Sequence, residues 1–208
     1  MIILNHINFL ECRQKFIYNK ENEYERRVVS MNSITYIASD YPIPEIQNPH
    51  ERSLSINEAL EMGLEVPEYL LKNGIDRDWK NAIHWADRSI HFDLDNGTID
   101  DGDFEDDYAI IPIYPGRRDI HSARKYQSRV ECIWSISRAK KILELISDLL
   151  DNTDEVEFWH IYMENGERPK IIYYDAKLSE FTPEDLIEIS DLPTYDKGTI
   201  HHCVRIKK

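Results

Sequence analysis

The spacing of apolar and polar positions changes several times along the chain, and each change predicts an element. Ser33–Ser39 (SITYIAS) is rich in β-branched and aromatic residues and reads as a strand. Asp40–Pro49 carries Pro42, Pro44 and Pro49 and reads as loop. Ser55-Ile56-Asn57-Glu58 has capping-box spacing, Leu54 and Ala59 are placed to staple across it, and Gly63 closes the helix. Val66-Pro67-Glu68 opens a second short helix that Gly74 ends, and Asp76–Trp85 reads as a third. Ser89–Leu94 and Tyr108–Tyr114 read as strands on either side of an acidic loop, with Pro112 restricting the second to an edge or a bulge.

Toward the C-terminus the pattern sharpens. Val130–Ser135 (VECIWS) reads as a strand. Ser137–Asp151 places Ala139, Ile142, Leu143, Ile146, Leu149 and Leu150 on one stripe, the spacing of a core-facing helix. Glu155–Met163 (EVEFWHIYM) is apolar on both faces and so predicts a central strand. Asn165-Gly166 is a hairpin signal, with Lys170–Asp175 as the returning strand. Thr182-Pro183-Glu184-Asp185 caps a helix to about Ser190, and His202–Ile206 supplies a closing strand. The order β-α-β-β-α-β predicts a ferredoxin-like unit. The fold expected is α+β: a single domain over residues 31–208, its C-terminal half ferredoxin-like, extended by an N-terminal α/β cap.

Ile, Leu, Val and Phe make up 55 of 208 residues, enough for a core despite a net charge of −14. No apolar run approaches the ~18–20 residues of a membrane-spanning helix. The charge excludes broad nucleic-acid or anionic-membrane binding, since both need a positive face. Cys12, Cys132 and Cys203 are widely spaced and odd in number, which suits reduced thiols in the cytoplasm. Residues 1–30 carry four acids and five bases, whereas residues 31–208 carry 35 acids and 20 bases. That contrast, the lack of periodicity and a Glu25-Arg26-Arg27 run upstream of Met31 suggest a translated leader; a poorly structured polar extension is the alternative. Met1–Leu10 lacks the basic start and cleavage site of a signal peptide.

Seven scattered glycines leave no G-x-G-x-x-G and no P-loop, and there is no G-x-S-x-G or H-E-x-x-H. The most unusual stretch is Asp93–Asp107, with eight acids and no base. Asp100, Asp101, Asp103, Glu105, Asp106 and Asp107, with Tyr108 beside them, form the expected contact for a basic protein partner. Tyr114, Tyr173 and Tyr174 are further aromatic candidates for an interface. The alternative is a loop neutralised by the Arg117, Arg118, Arg124, Lys125 and Arg129 stretch that follows. Within it, His91, Asp93 and Asp95 share one side of a strand, a beginning for a divalent-cation site and the one cofactor the residues suggest. EF-hand spacing is absent. His84, His121 and His160 are scattered candidates for a second cluster. His160, mid-strand, has the chemistry of a general base but reads more simply as a core histidine bonded to backbone. His201 and His202 point to opposite faces and cannot chelate one ion together.

The segments SITYIASDYPIPE and SLSINEALEMGLEVPEYLLKNG, with the pattern from CIWSIS to HHCVRI, resemble an uncharacterised family of small bacterial cytosolic proteins. That resemblance implies an α+β fold in a bacterial cytoplasm and transfers no site residue. The function expected is an acidic protein-binding module, as immunity proteins and inhibitors of basic partners are. The alternatives are a metal-assisted hydrolase on His91, Asp93 and Asp95, and a regulatory domain for a small ligand.

Overall fold

The computed structural model describes residues 6–8, 33–72, 74–86, 91–93, 98–100, 104–113, 121–162, 169–194 and 199–208. In chain order the elements are β1 (His6–Asn8), β2 (Ser33–Ser39), β3 (Glu51–Leu54), α1 (Ile56–Glu61), β4 (Ile83–Ala86), β5 (His91–Asp93) and β6 (Thr98–Asp100). They continue with β7 (Tyr108–Pro112), β8 (Tyr126–Cys132), α2 (Ile136–Leu150), β9 (Val156–Tyr162), β10 (Lys170–Lys177), α3 (Pro183–Ser190) and β11 (Ile200–Lys207). By backbone proximity the chain divides into two compact units, one of residues 1–47 with 108–208 and one of Asn48–Asp107.

The larger unit is a mixed α+β fold. Six long strands form a mostly antiparallel sheet in the order β10-β11-β9-β2-β8-β7, with the three-residue β1 beyond β10. Both β1–β10 and β10–β11 are parallel. Parallel neighbours need a crossover, and α3 supplies it between β10 and β11. On one face, Ile37, Val130, Phe158, Tyr174 and Val204 from five strands meet Ile142, Ile146, Leu149 and Leu186 of the two helices. On the other face, Tyr36, Trp159, Ile161 and Cys203 form a second buried cluster. β9 is buried on both faces, as its unbroken apolar run requires.

This order is not ferredoxin-like. The two strands expected to pair as a hairpin, β9 and β10, are separated by β11, and β2 lies between β9 and β8. The side chains explain the exchange. β10 has Lys170, Asp175 and Lys177 exposed and suits the periphery, whereas β11 is buried through His201–Val204 and so belongs inside. β2, buried from Ile34 to Ser39, is likewise an interior strand and not part of a cap. The Asn165-Gly166 turn lies outside the described residues.

The smaller unit contains α1, the β3–β4 and β5–β6 ladders and a core of Leu54, Ile56, Ala59 and Val66. Its capping box forms as spaced: the Ser55 hydroxyl accepts from the Glu58 amide while the Glu58 carboxylate accepts from the Ser55 amide. Gly63 lies at φ 73 and Gly74 at φ 96, where a side chain would be strained. The helix expected over 76–85 does not form. Asp76 Oδ1 accepts from the Asp78 amide at 3.0 Å, closing a local turn, and Ile83–Ala86 pairs instead with β3. No helix among the described residues is long and apolar enough to cross a membrane.

Candidate functional site

The charge of the chain is not evenly spread. Asn48–Asp107 contains sixteen acids against five bases, a net of −11 out of −14 for the whole sequence. Of the nine large hydrophobic side chains exposed among the described residues, six (Leu60, Met62, Tyr69, Ile75, Trp79 and Phe104) belong to this unit. A negative charge surplus and exposed hydrophobic side chains, three of them aromatic, therefore occupy the same sixty residues.

The two ends of that unit are tied together by polar contacts. Asn48 Nδ2 donates to Asp107 Oδ1 at 2.7 Å, and the His50 amide donates to Asn48 Oδ1 at 2.9 Å. The His50 ring stacks on Phe104, centroids 4.6 Å apart, and its Nε2 lies 2.8 Å from Asp106 Oδ1. Asp107 is buried, so its carboxylate serves this closure, whereas Glu105 and Asp106 are exposed. Asp100 is on β6; Asp101 and Asp103 lie outside the described residues. Tyr108 opens β7 in the larger unit and is half-buried there. His91 and Asp93 are at alternate positions of β5, paired with Asp100 and Thr98, and Asp95 lies outside the described residues. Among the described residues no group of three or more His, Cys, Asp or Glu is disposed to hold a metal ion.

The basic stretch after the acidic loop has partners within its own unit. Arg124 Nη1 contacts Asp40 Oδ2 at 2.6 Å, Nη2 bonds Glu155, and Nε is 3.5 Å from Glu157 Oε1. Arg129 pairs with Glu131 at 3.1 Å. The Arg124 contact and the Lys125 amide hold the Asp40 carboxyl below the usual range. Arg117 and Arg118 lie outside the described residues.

A second polar concentration is interior. On the face away from the helices, Glu157 Oε2 accepts from Ser122 Oγ at 2.6 Å and from the Trp159 indole at 2.8 Å. His121 and His201 rings approach to 4.7 Å, and the His121 amide donates to the Tyr36 hydroxyl. On the helix face, Tyr174 Oη is 3.0 Å from His202 Nδ1, and His202 Nε2 is 3.0 Å from the Pro193 carbonyl. A carbonyl only accepts, so Nε2 carries the proton of the neutral ring and Nδ1 takes the tyrosine hydroxyl's. The Tyr162 amide likewise donates to His201 Nδ1. His201 and His202 thus face opposite sides, as their adjacency on one strand requires.

His160 pairs with His202 in register, bonds the backbone of Leu192, and has a buried Nδ1 with no hydrogen-bond partner. Burial, then the neighbouring His202, lowers its pKa to about 4. Burial, then His121, does the same for His201. These rings are neutral near pH 7 and belong to the sheet interior, as does Tyr174, which is buried and not an interface residue. Cys203 is buried and its thiol is pushed up by desolvation, so it is a packing residue. Pairing of His121 with His201 has no sequence signal, because their separation along the chain is bridged only by the sheet.

No family model matches the chain, and neither does a curated protein or a solved structure at a significant level.

Proposed function

We propose that this protein is a binding module whose Asn48–Asp107 unit docks a basic protein partner. The observation that carries the reading is the coincidence, in one compact unit, of a net charge of −11 with six of the nine exposed large hydrophobics. Neither feature suffices alone. Acidic segments are commonly just solvated, and single exposed apolar residues are ordinary. Together they supply the two parts of a recognition surface: aromatic anchors for affinity, and a field that accelerates encounter with a cationic partner by ~10–10³. Asp100, Asp101, Asp103, Glu105 and Asp106 steer the partner, while Asp107 holds the unit closed. The same field repels nucleic acid and anionic lipid.

Affinity capture from the native cell extract tests this, with the full chain run beside an Asp100→Asn, Asp101→Asn, Asp103→Asn, Glu105→Gln variant. The expected outcome is a strongly basic protein held at about 50 mM salt, reduced with the variant and released by about 300 mM salt, where the Debye length is only a few ångströms. A captured set indifferent to both salt and variant overturns the reading.

A further inference from the structure

Three of the four tryptophans are packed. Trp159 lies between Tyr36 and Tyr173, with centroids 5.6 and 5.8 Å away. Trp134 meets the ring of Phe158 edge-on, and Trp85 is covered by the Arg52 guanidinium at 4.7 Å. Trp79 differs: it is 56% exposed. An indole buries a large apolar area on association, and tryptophan is enriched among the residues that anchor protein interfaces.

The turn bearing it is fixed in advance. The Arg77 carbonyl accepts from the Asn57 amide at 3.2 Å, and Asp78 Oδ1 accepts from Asn57 Nδ2 at 2.8 Å. Lys80 Nζ reaches Glu58 Oε1 at 3.0 Å, and the Ala82 amide donates to the Trp79 carbonyl at 3.2 Å. These contacts hold residues 77–82 against the first turn of α1, so presenting the indole costs little further ordering on binding. Both neighbouring cations are committed within the chain, Lys80 to Glu58 and Arg77 Nη2 to the Leu71 carbonyl at 3.2 Å. Asp76 and Asp78 precede Trp79 in the chain, inside a unit of net charge −11.

We propose that Trp79 is the anchor of this unit's docking surface and receives an arginine side chain of the basic partner across its indole face. The proposal rests on the reading of Asn48–Asp107 as a binding surface and adds the residue and the chemistry of its contact. A planar guanidinium stacks on an indole better than an ammonium does, and the unit's net charge of −11 favours a cation over an apolar side chain. A second copy of this chain is disfavoured as occupant, because two units of the same strong negative charge repel.

Indole Nε1–H resonances of the full-length ¹⁵N-labelled chain provide the test, the Trp79 signal being identified by its loss in Trp79→Phe. The probe is a peptide of alternating arginine and glycine, with its citrulline counterpart as the uncharged isostere. The expected result is that the arginine peptide shifts the Trp79 indole and the citrulline peptide does not. Trp79→Ala is expected to weaken arginine-peptide binding about two- to fivefold, the range of an exposed cation–π contact, without moving the melting temperature. Equal affinity for wild type and Trp79→Ala overturns the anchor while leaving the acidic unit's role standing. No binding of the arginine peptide to either protein at low salt overturns the reading of the unit itself.

Discussion

At the scale of single residues, the consequential groups are those whose environment reverses their usual behaviour. Arg138 is fully buried in α2, and its Nη1 donates to the Ile133 carbonyl at 2.8 Å, a placement no periodicity announces. His160 and His201 are held neutral, each with a pKa lowered to about 4 chiefly by burial. An unfolded histidine titrates near 6.5, so the unfolded chain binds protons first as pH falls. Stability from these rings is therefore complete above about pH 6.5 and is lost progressively between about 6.5 and 4. Few carboxylates titrate in the upper part of that window. The expected outcome is a urea midpoint that falls from pH 6.5 to pH 5, with a shallower fall in a His160→Gln, His201→Gln variant; equal slopes would exclude these rings as the cause.

Elements follow local signals closely wherever the signal is a cap. Both capping boxes form: Ser55 with Glu58 on α1, and Thr182 with Asp185 on α3, the latter with Pro183 in the first turn. Removing the Ser55 hydroxyl takes away the acceptor of the Glu58 amide, and removing that of Thr182 takes away its bonds to the Asp185 amide and carboxylate. Ser55→Ala and Thr182→Ala are each expected to lower stability by about 1 kcal/mol in chemical denaturation. Thr182 also donates to the Asp185 carboxylate, whereas the Asp185 amide keeps the Thr182 carbonyl as an acceptor at 3.1 Å. A change below a few tenths of a kcal/mol would mean that tertiary packing alone fixes the helix start. The Glu58 carboxyl, whose pKa falls to about 2 through the Ser55 amide and Lys80, stays ionised in its box under all ordinary conditions.

Across the whole molecule, charge is concentrated instead of dispersed. With −11 of the net −14 on Asn48–Asp107, self-repulsion opposes that unit's compactness, and its exposed ion pairs each return little. Raising NaCl from about 10 mM to about 200 mM, which shortens the Debye length from roughly 30 Å to under 10 Å, is expected to raise the melting temperature. A falling melting temperature would show that the ion pairs outweigh the repulsion. Capping boxes, glycine stops, the core stripe of α2, the doubly buried β9 and the opposed faces of His201 and His202 were all legible in the sequence, because each depends on residues within a few positions of one another. The acidic surplus was legible for the same reason, being a matter of counting. Strand order was not: that β11 displaces β10 from the side of β9, and that β2 enters between β9 and β8, depends on which surfaces fit after collapse. Nor could spacing show that Asp107 is spent on Asn48, that Arg124 gathers Asp40, Glu155 and Glu157, or that Trp79 is the most exposed of the four tryptophans. Local pattern specifies what a segment forms; only the competition among all segments for the same interior decides what each one touches and which are left outside.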